Sequence, residues 1–177
     1  VLDECFVQFL TSGEEASMQL ETGRFRYLFV LQAFTKIYAV PGIRLGYGIS
    51  SDKALLERME TVRQPWSVST PAQAAGLSAL KEDHREEQTR QLVKSERERM
   101  EKELENLRIE YIPSEANFLL FNSEINWFEE LKKRGILIRD CANYRGLGNG
   151  WYRMAVRLPE ENDRLLECMK QVLNERS

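Results

Sequence analysis

Residues 29 to 50, FVLQAFTKIYAVPGIRLGYGIS, constrain this chain more than any other stretch. An apolar run, Phe29-Val30-Leu31, gives way to small and polar residues and presents Lys36. A Pro41-Gly42 turn follows, then Arg44, eight residues beyond the lysine, and a second run from Leu45 to Ile49. Burial and a neighbouring cation lower the pKa of a lysine, and the neutral amine is a nucleophile that forms Schiff bases. Arg44 supplies that cation and a fork of donors suited to phosphate. Gly46 and Gly48, on either side of Tyr47, admit close backbone approach. The set reads either as the anchor of a pyridoxal phosphate site or as a strand, a loop and a surface lysine.

At 177 residues the chain has the length of one ordinary domain or of parts of two. It is 42% hydrophobic and 30% charged, the balance of a soluble globular protein. A net charge of -3 gives no electrostatic case for nucleic acid, and no apolar run approaches a membrane span. The three cysteines, Cys5, Cys141 and Cys168, are far apart and show no ligand spacing, so a reducing, cytoplasmic setting is expected. His84 is the single histidine and sits in a charged run, which excludes a multi-histidine metal centre; no metal ligands are expected. The opening Val1-Leu2-Asp3 has no initiator Met and no signal-peptide pattern, and suggests a piece of a longer chain.

Val1 and Leu2 read as the tail of a buried strand that ends at Asp3, either a loop cap or a site carboxylate, because ligands of open α/β sheets bind at carboxyl ends of strands. Residues 12 to 24 are a polar connection. Strands are expected over Tyr27 to Leu31 and Gly46 to Ile49. Ser51-Asp52 caps a helix from Lys53 to Arg63 with Leu55, Leu56, Met59 and Val62 on its apolar face. Ser69-Thr70-Pro71 opens a second, small-residue helix. From Lys81 to Glu105 charges of both signs alternate around Leu92, Met100 and Leu104, the pattern of a long solvated connecting helix. The remainder reads as a small α+β unit. Its strands are Ile109 to Ile112, Asn117 to Phe121, Ile136 to Arg139 and Trp151 to Arg157. Its helices start at Asn126 and Glu160, and a glycine-bearing loop spans 143 to 150. Strands alternating with helices make the class α/β.

Five stretches resemble the fold-type-I pyridoxal-phosphate enzymes, in particular the subgroup of histidinol-phosphate aminotransferases and threonine-phosphate decarboxylases. Asp3-Glu4-Cys5-Phe6 is similar to its D-E-[AC]-[YF] motif. Ala33-Phe34-Thr35-Lys36 with Ala39 to Tyr47 resembles its Schiff-base lysine segment. Gln64 to Val68, Gly135 to Asp140 and Tyr152 to Val156 resemble the entry to the interdomain helix and two small-domain strands. The resemblance runs through the whole chain in order.

The resemblance implies roles. Lys36 would hold the cofactor and shuttle protons, Asp3 would keep the pyridine nitrogen protonated, and Thr35 and Arg44 would bind the cofactor phosphate. Arg153 would take the substrate carboxylate and Arg139 the distal anion, a phosphate in this subgroup. It also implies a division into the C-terminal part of a three-layer large domain (1–75), an interdomain helix (76–107) and a small C-terminal α+β domain (108–177), and a homodimeric parent.

Much of the subgroup has Tyr where this chain has Phe6, which cannot donate a hydrogen bond. Cys5-Phe6 and the run from Arg139 to Gly148 look more like the decarboxylases. The implied function is therefore decarboxylation of L-threonine O-3-phosphate to the aminopropanol phosphate of the corrinoid side chain. The alternatives are histidinol-phosphate transamination in histidine synthesis, or a fragment that keeps the fold and is catalytically silent. An interaction module built on residues 81–105 is a further reading of another class.

Overall fold

The computed structural model describes residues 1–82 and 84–176. Asp83, within the expected connecting helix, and Ser177, at the end of the expected small domain, lie outside the described residues. The chain forms two compact units, Val1–Arg90 and Gln91 onward, and is α/β in class.

In the first unit β1 (Leu2–Asp3), β2 (Val30–Ala33) and β3 (Gly46–Ile49) form one sheet in the order β1-β2-β3. β1 runs parallel to β2, with Asp3 opposite Leu31, and β3 runs antiparallel, with Gly46 opposite Ala33. Along β2 the side chains alternate, Val30 and Gln32 buried and Leu31 exposed, as a pleated strand requires. β2 starts later than the sequence predicts, because a turn closed by the Leu28 N–H on the Phe25 carbonyl (2.9 Å) takes up the preceding residues. Val1 and Leu2 are not buried; they are 91% and 38% exposed, since β1 lies at the sheet edge with one neighbour among the described residues.

A single helical turn, α1 (Phe34–Ile37), follows β2 directly and packs against the 3-10 turn Pro41–Ile43. α2 (Lys53–Val62) is capped by Asp52, whose Oδ1 accepts the Leu55 N–H at 3.1 Å. Its expected apolar face buries nothing in this chain. α3 (Thr70–Ala79) is capped by Ser69 and carries Pro71 in its first turn. Gly76 of α3 meets Leu45, so closely that a Cβ there would lie 2.6 Å from Cδ2.

α4 (Arg85–Asn106) begins in the first unit and continues into the second. Its inward stripe in the second unit is Val93, Met100 and Leu104, with Arg97 between them; Leu92 faces out instead. Arg97 is tolerated there because its Nη1 donates to the Glu115 and Ala116 carbonyls at 3.0 and 3.3 Å. His84 precedes the helix in a left-handed conformation and is exposed.

The second unit is an antiparallel sheet in the order β4-β5-β7-β6, from β4 (Glu110–Ile112), β5 (Phe118–Asn122), β6 (Arg139–Asp140) and β7 (Trp151–Ala155). Leu119 and Phe121 of β5 and Tyr152 and Met154 of β7 face the core. That core is completed by Trp127 and Leu131 of α5 (Trp127–Lys132) and by Leu165, Leu166, Met169 and Val172 of α6 (Pro159–Asn174). β6 is shorter than predicted: Gly135, at φ +74, ends the α5 segment, and residues 136–138 reach Arg139 without pairing with β7. No helix among the described residues is long and apolar enough to cross a membrane.

Candidate active site

Parallel pairing of β1 and β2 puts their carboxyl ends at the same end of the sheet. Asp3 ends β1, and Lys36 stands in the turn that follows β2. The Asp3 Oδ1 accepts the Cys5 N–H at 2.9 Å. Hydrogen bonds from the Cys5 thiol and from its backbone hold the Asp3 carboxyl below the usual carboxylate range; slight burial opposes them, and the Lys36 charge adds to the lowering. Asp3 is therefore a fixed anion at neutral pH. The Cys5 thiol is pushed up to about 11, first by burial and then by its bond to Asp3, so it stays protonated. The Lys36 ammonium lies 5.5 Å from the centroid of the Phe6 ring, a cation–π contact.

Asp3, Cys5, Phe6 and Lys36 thus form one cluster. Lys36 is exposed and not enclosed by apolar side chains as its sequence context implies, because α1 is one turn at the end of the sheet. Nearby in sequence, Phe34 stacks on Tyr38 at 5.2 Å and meets the edge of Tyr47 at 6.0 Å. Thr35 is half-buried beside the lysine. Arg44 takes a left-handed conformation (φ +58), is exposed, and donates from Nη1 to the Pro41 carbonyl at 3.1 Å. The loop bearing it folds back on α1 through Pro41–Ile43. The close approach at the flanking glycines is made by Phe29 at Gly48 and by the Gln32 carbonyl at Gly46.

In the second unit Arg139 and Arg153 are direct register partners across β6 and β7. Tyr152 and Met154 point inward, so Arg153 points to the other face, and Arg139 shares it. Arg153 lies over the Phe118 ring at 4.9 Å and Arg139 over the Tyr144 ring at 5.6 Å. Arg139 also donates to the Asn143 Oδ1 at 3.3 Å. Burial raises the Cys141 thiol, and the charges of Arg153 and Arg139 oppose that rise. Phe118, Asn143 and Tyr144 are contributors that sequence patterns could not single out, since each is defined by the arginine it supports.

An ionised carboxylate, an amine, a hydroxyl and a guanidinium near one sheet end suit a cofactor with a protonatable ring nitrogen, an aldehyde and a phosphate. Two paired guanidiniums suit a dianionic small molecule.

Residues 1–168 match the family described as aminotransferase class I and II, and the chain belongs to that family of enzymes. It is 37% identical to the threonine-phosphate decarboxylase of Salmonella typhimurium, over 98% of this chain and 48% of that protein. It is also 37% identical to histidinol-phosphate aminotransferase 1 of Archaeoglobus fulgidus, over 97% of this chain and 51% of that protein. The crystal structure of the histidinol-phosphate aminotransferase from Clostridium acetobutylicum matches with a TM-score of 0.92 at 31% identity, covering 98% of this chain and 54% of that one. The chain spans about half the length of the curated relatives it matches.

Proposed function

We propose that the full-length protein is a pyridoxal-phosphate-dependent enzyme that decarboxylates L-threonine O-3-phosphate. The observation that carries the substrate class is the Arg139–Arg153 register pair. Like charges directly opposite one another on a sheet destabilise it unless an anion joins them. A phosphorylated amino acid brings two anions, a carboxylate for Arg153 and a phosphate for Arg139. The class, the decarboxylase relative and the strand-end cluster support the cofactor.

When bound, the cofactor supplies an electron sink for the bond broken at the substrate α-carbon. Asp3, held ionised, would accept a hydrogen bond from the ring nitrogen and so keep it protonated. Thr35 and Arg44 would hold its phosphate. Lys36 would provide the amine of attachment and would be the group that carries protons there. Arg153 would take the substrate carboxylate and Arg139 its phosphate. Phe6, in cation–π contact with Lys36, offers no hydrogen-bond donor, and this difference from the tyrosine found in much of the subgroup supports the decarboxylase reading.

The equal identity to a histidinol-phosphate aminotransferase supports a second reading, transfer of an amino group from histidinol phosphate. The exposure of Asp3, Lys36 and Arg44 supports a third, that residues 1–177 alone keep the fold without binding cofactor. The proposal includes the division 1–75, 76–107 and 108–177, and a homodimeric, cytoplasmic enzyme. The uncovered apolar face of α2 and the 95% exposed Trp66 support a partner surface on the first unit. The test is incubation of the full-length protein and pyridoxal phosphate with L-threonine O-3-phosphate. Carbon dioxide release without a keto-acid acceptor is expected. Amino transfer from histidinol phosphate to 2-oxoglutarate, without carbon dioxide release, would replace this reading with the second.

A further inference from the structure

Asp3 is held by Cys5, two residues further along its own turn. β1 is two residues long, exposed along both, and joined to the sheet on one side by the Leu2 N–H on the Phe29 carbonyl (2.8 Å) and the Glu4 N–H on the Leu31 carbonyl (2.9 Å). A functional carboxylate needs placement to about 0.5 Å, which the residues around it must supply. The next residue does something unusual for a glutamate. Glu4 is 6% exposed, and its carboxylate accepts three hydrogen bonds from neutral donors on two other segments. Its Oε1 accepts the Met18 N–H at 2.8 Å. Its Oε2 accepts the Ser17 hydroxyl at 2.6 Å and the Gln32 amide N–H at 2.9 Å. The Glu4 carbonyl also accepts the Val7 N–H at 3.0 Å, closing the turn whose Cys5 N–H binds Asp3.

We propose that Glu4 is the positioning residue of the site: its buried carboxylate pins the end of β1 to β2 and to the 17–18 loop, and thereby aims Asp3. Successive strand residues point to opposite faces, so a side chain anchored on one face fixes the direction of its neighbour on the other. This inference deepens the cofactor reading and rests on it for its functional meaning. The role is one of geometry and not of charge. The Gln32 Oε1 is buried with no partner among the described residues. In Glu4→Gln, a flipped Gln32 amide would present that oxygen to the new amide N–H. The Met18 N–H would keep its acceptor, and the Ser17 hydroxyl can rotate to accept. Glu4→Gln therefore preserves the node, and Glu4→Ala removes it.

The experiment follows the Asp3 side-chain carboxyl by NMR through a pH titration of the cofactor-free full-length protein, with amide exchange of Cys5 measured in parallel. In Glu4→Ala the Asp3 titration is expected to move up toward the ordinary aspartate range, and Cys5 exchange to rise by about tenfold or more as the turn opens. Glu4→Gln is expected to match the wild type in both. Ser17→Ala removes one donor and is expected to shift both readouts less and in the same direction, so the inference is judged even if Glu4→Ala does not fold. Unchanged Asp3 titration and Cys5 exchange in Ser17→Ala and in a folded Glu4→Ala, or a Glu4→Gln as altered as Glu4→Ala, would overturn it. Pyridoxal phosphate titration of the wild-type full-length protein is run alongside. Absence of binding there counts against the proposed function and leaves the Asp3 readout to decide the role of Glu4.

Discussion

Arg139 and Arg153 stand directly opposite each other across the β6–β7 ladder, two guanidiniums on one face, each backed by an aromatic ring. Among the described residues neither is in a salt bridge with a carboxylate. An arrangement that costs stability when empty gains it when an anion bridges the pair. Inorganic phosphate is therefore expected to raise the thermal midpoint of the chain. At about ten times its dissociation constant it stabilises by about 1.4 kcal/mol. Arg139→Gln and Arg153→Gln should each abolish most of that rise. Arg153→Lys should restore little, because an ammonium lacks the fork. Calorimetry at fixed ionic strength measures it, with chloride as the control.

The first unit offers a test of packing next to the lysine segment. A Cβ at Gly48 would overlap the Phe29 ring, with Cε1 2.5 Å away, and Phe29 is buried. Gly48→Ala is expected to destabilise by about 1–3 kcal/mol. Phe29→Leu should recover part of that loss in the double variant, which denaturant titration of all four proteins would show as non-additivity.

In the second unit a buried polar node joins α4 to α6. Asn162, 1% exposed, donates to Glu96 Oε2 at 2.8 Å and to the Arg157 carbonyl at 2.9 Å, and accepts the Arg157 N–H at 3.0 Å. Asn162→Ala strips all three contacts and leaves the Arg157 groups unpaired. A loss of about 2 kcal/mol or more is expected from chemical denaturation.

The same node sets a pH dependence. The Arg99 hydrogen bond, with Asn162 behind it, holds the Glu96 carboxyl below its ordinary value of 4.5 against the opposing effect of burial. A carboxyl lowered by folding adds stability that is full above its unfolded value and is lost as pH falls through the folded value. The chain should thus weaken below about pH 4.5. Glu96→Gln should flatten that part of the stability curve while lowering stability at pH 7.

Local pattern made much of this legible. Asp52, Ser69 and Asn126 are caps at the residues where their side chains accept helix N–H groups. The period-2 runs of β5 and β7 turn their apolar residues inward. The ends of β1 and β2 coincide because the two strands are parallel neighbours, and that is what unites Asp3 with Lys36. What local pattern could not reveal depends on partners distant in sequence. Ile136 to Ile138 have strand composition, but pairing with β7 begins only at Arg139. Leu92 fits a helical stripe as well as Val93 does, and packing selects Val93. Lys36 follows an apolar run yet is exposed, since burial is decided by what covers the sheet end. Glu4 reads as part of a motif, and its three donors come from residues 17, 18 and 32.

The most direct test of the whole account is chemical trapping at the lysine. The full-length protein is loaded with pyridoxal phosphate, reduced with borohydride, digested and analysed by mass spectrometry. The cofactor mass is expected on the peptide containing Lys36, and is expected to be absent from that segment in Lys36→Ala. Cofactor fixed on a different lysine, or on none, would contradict it.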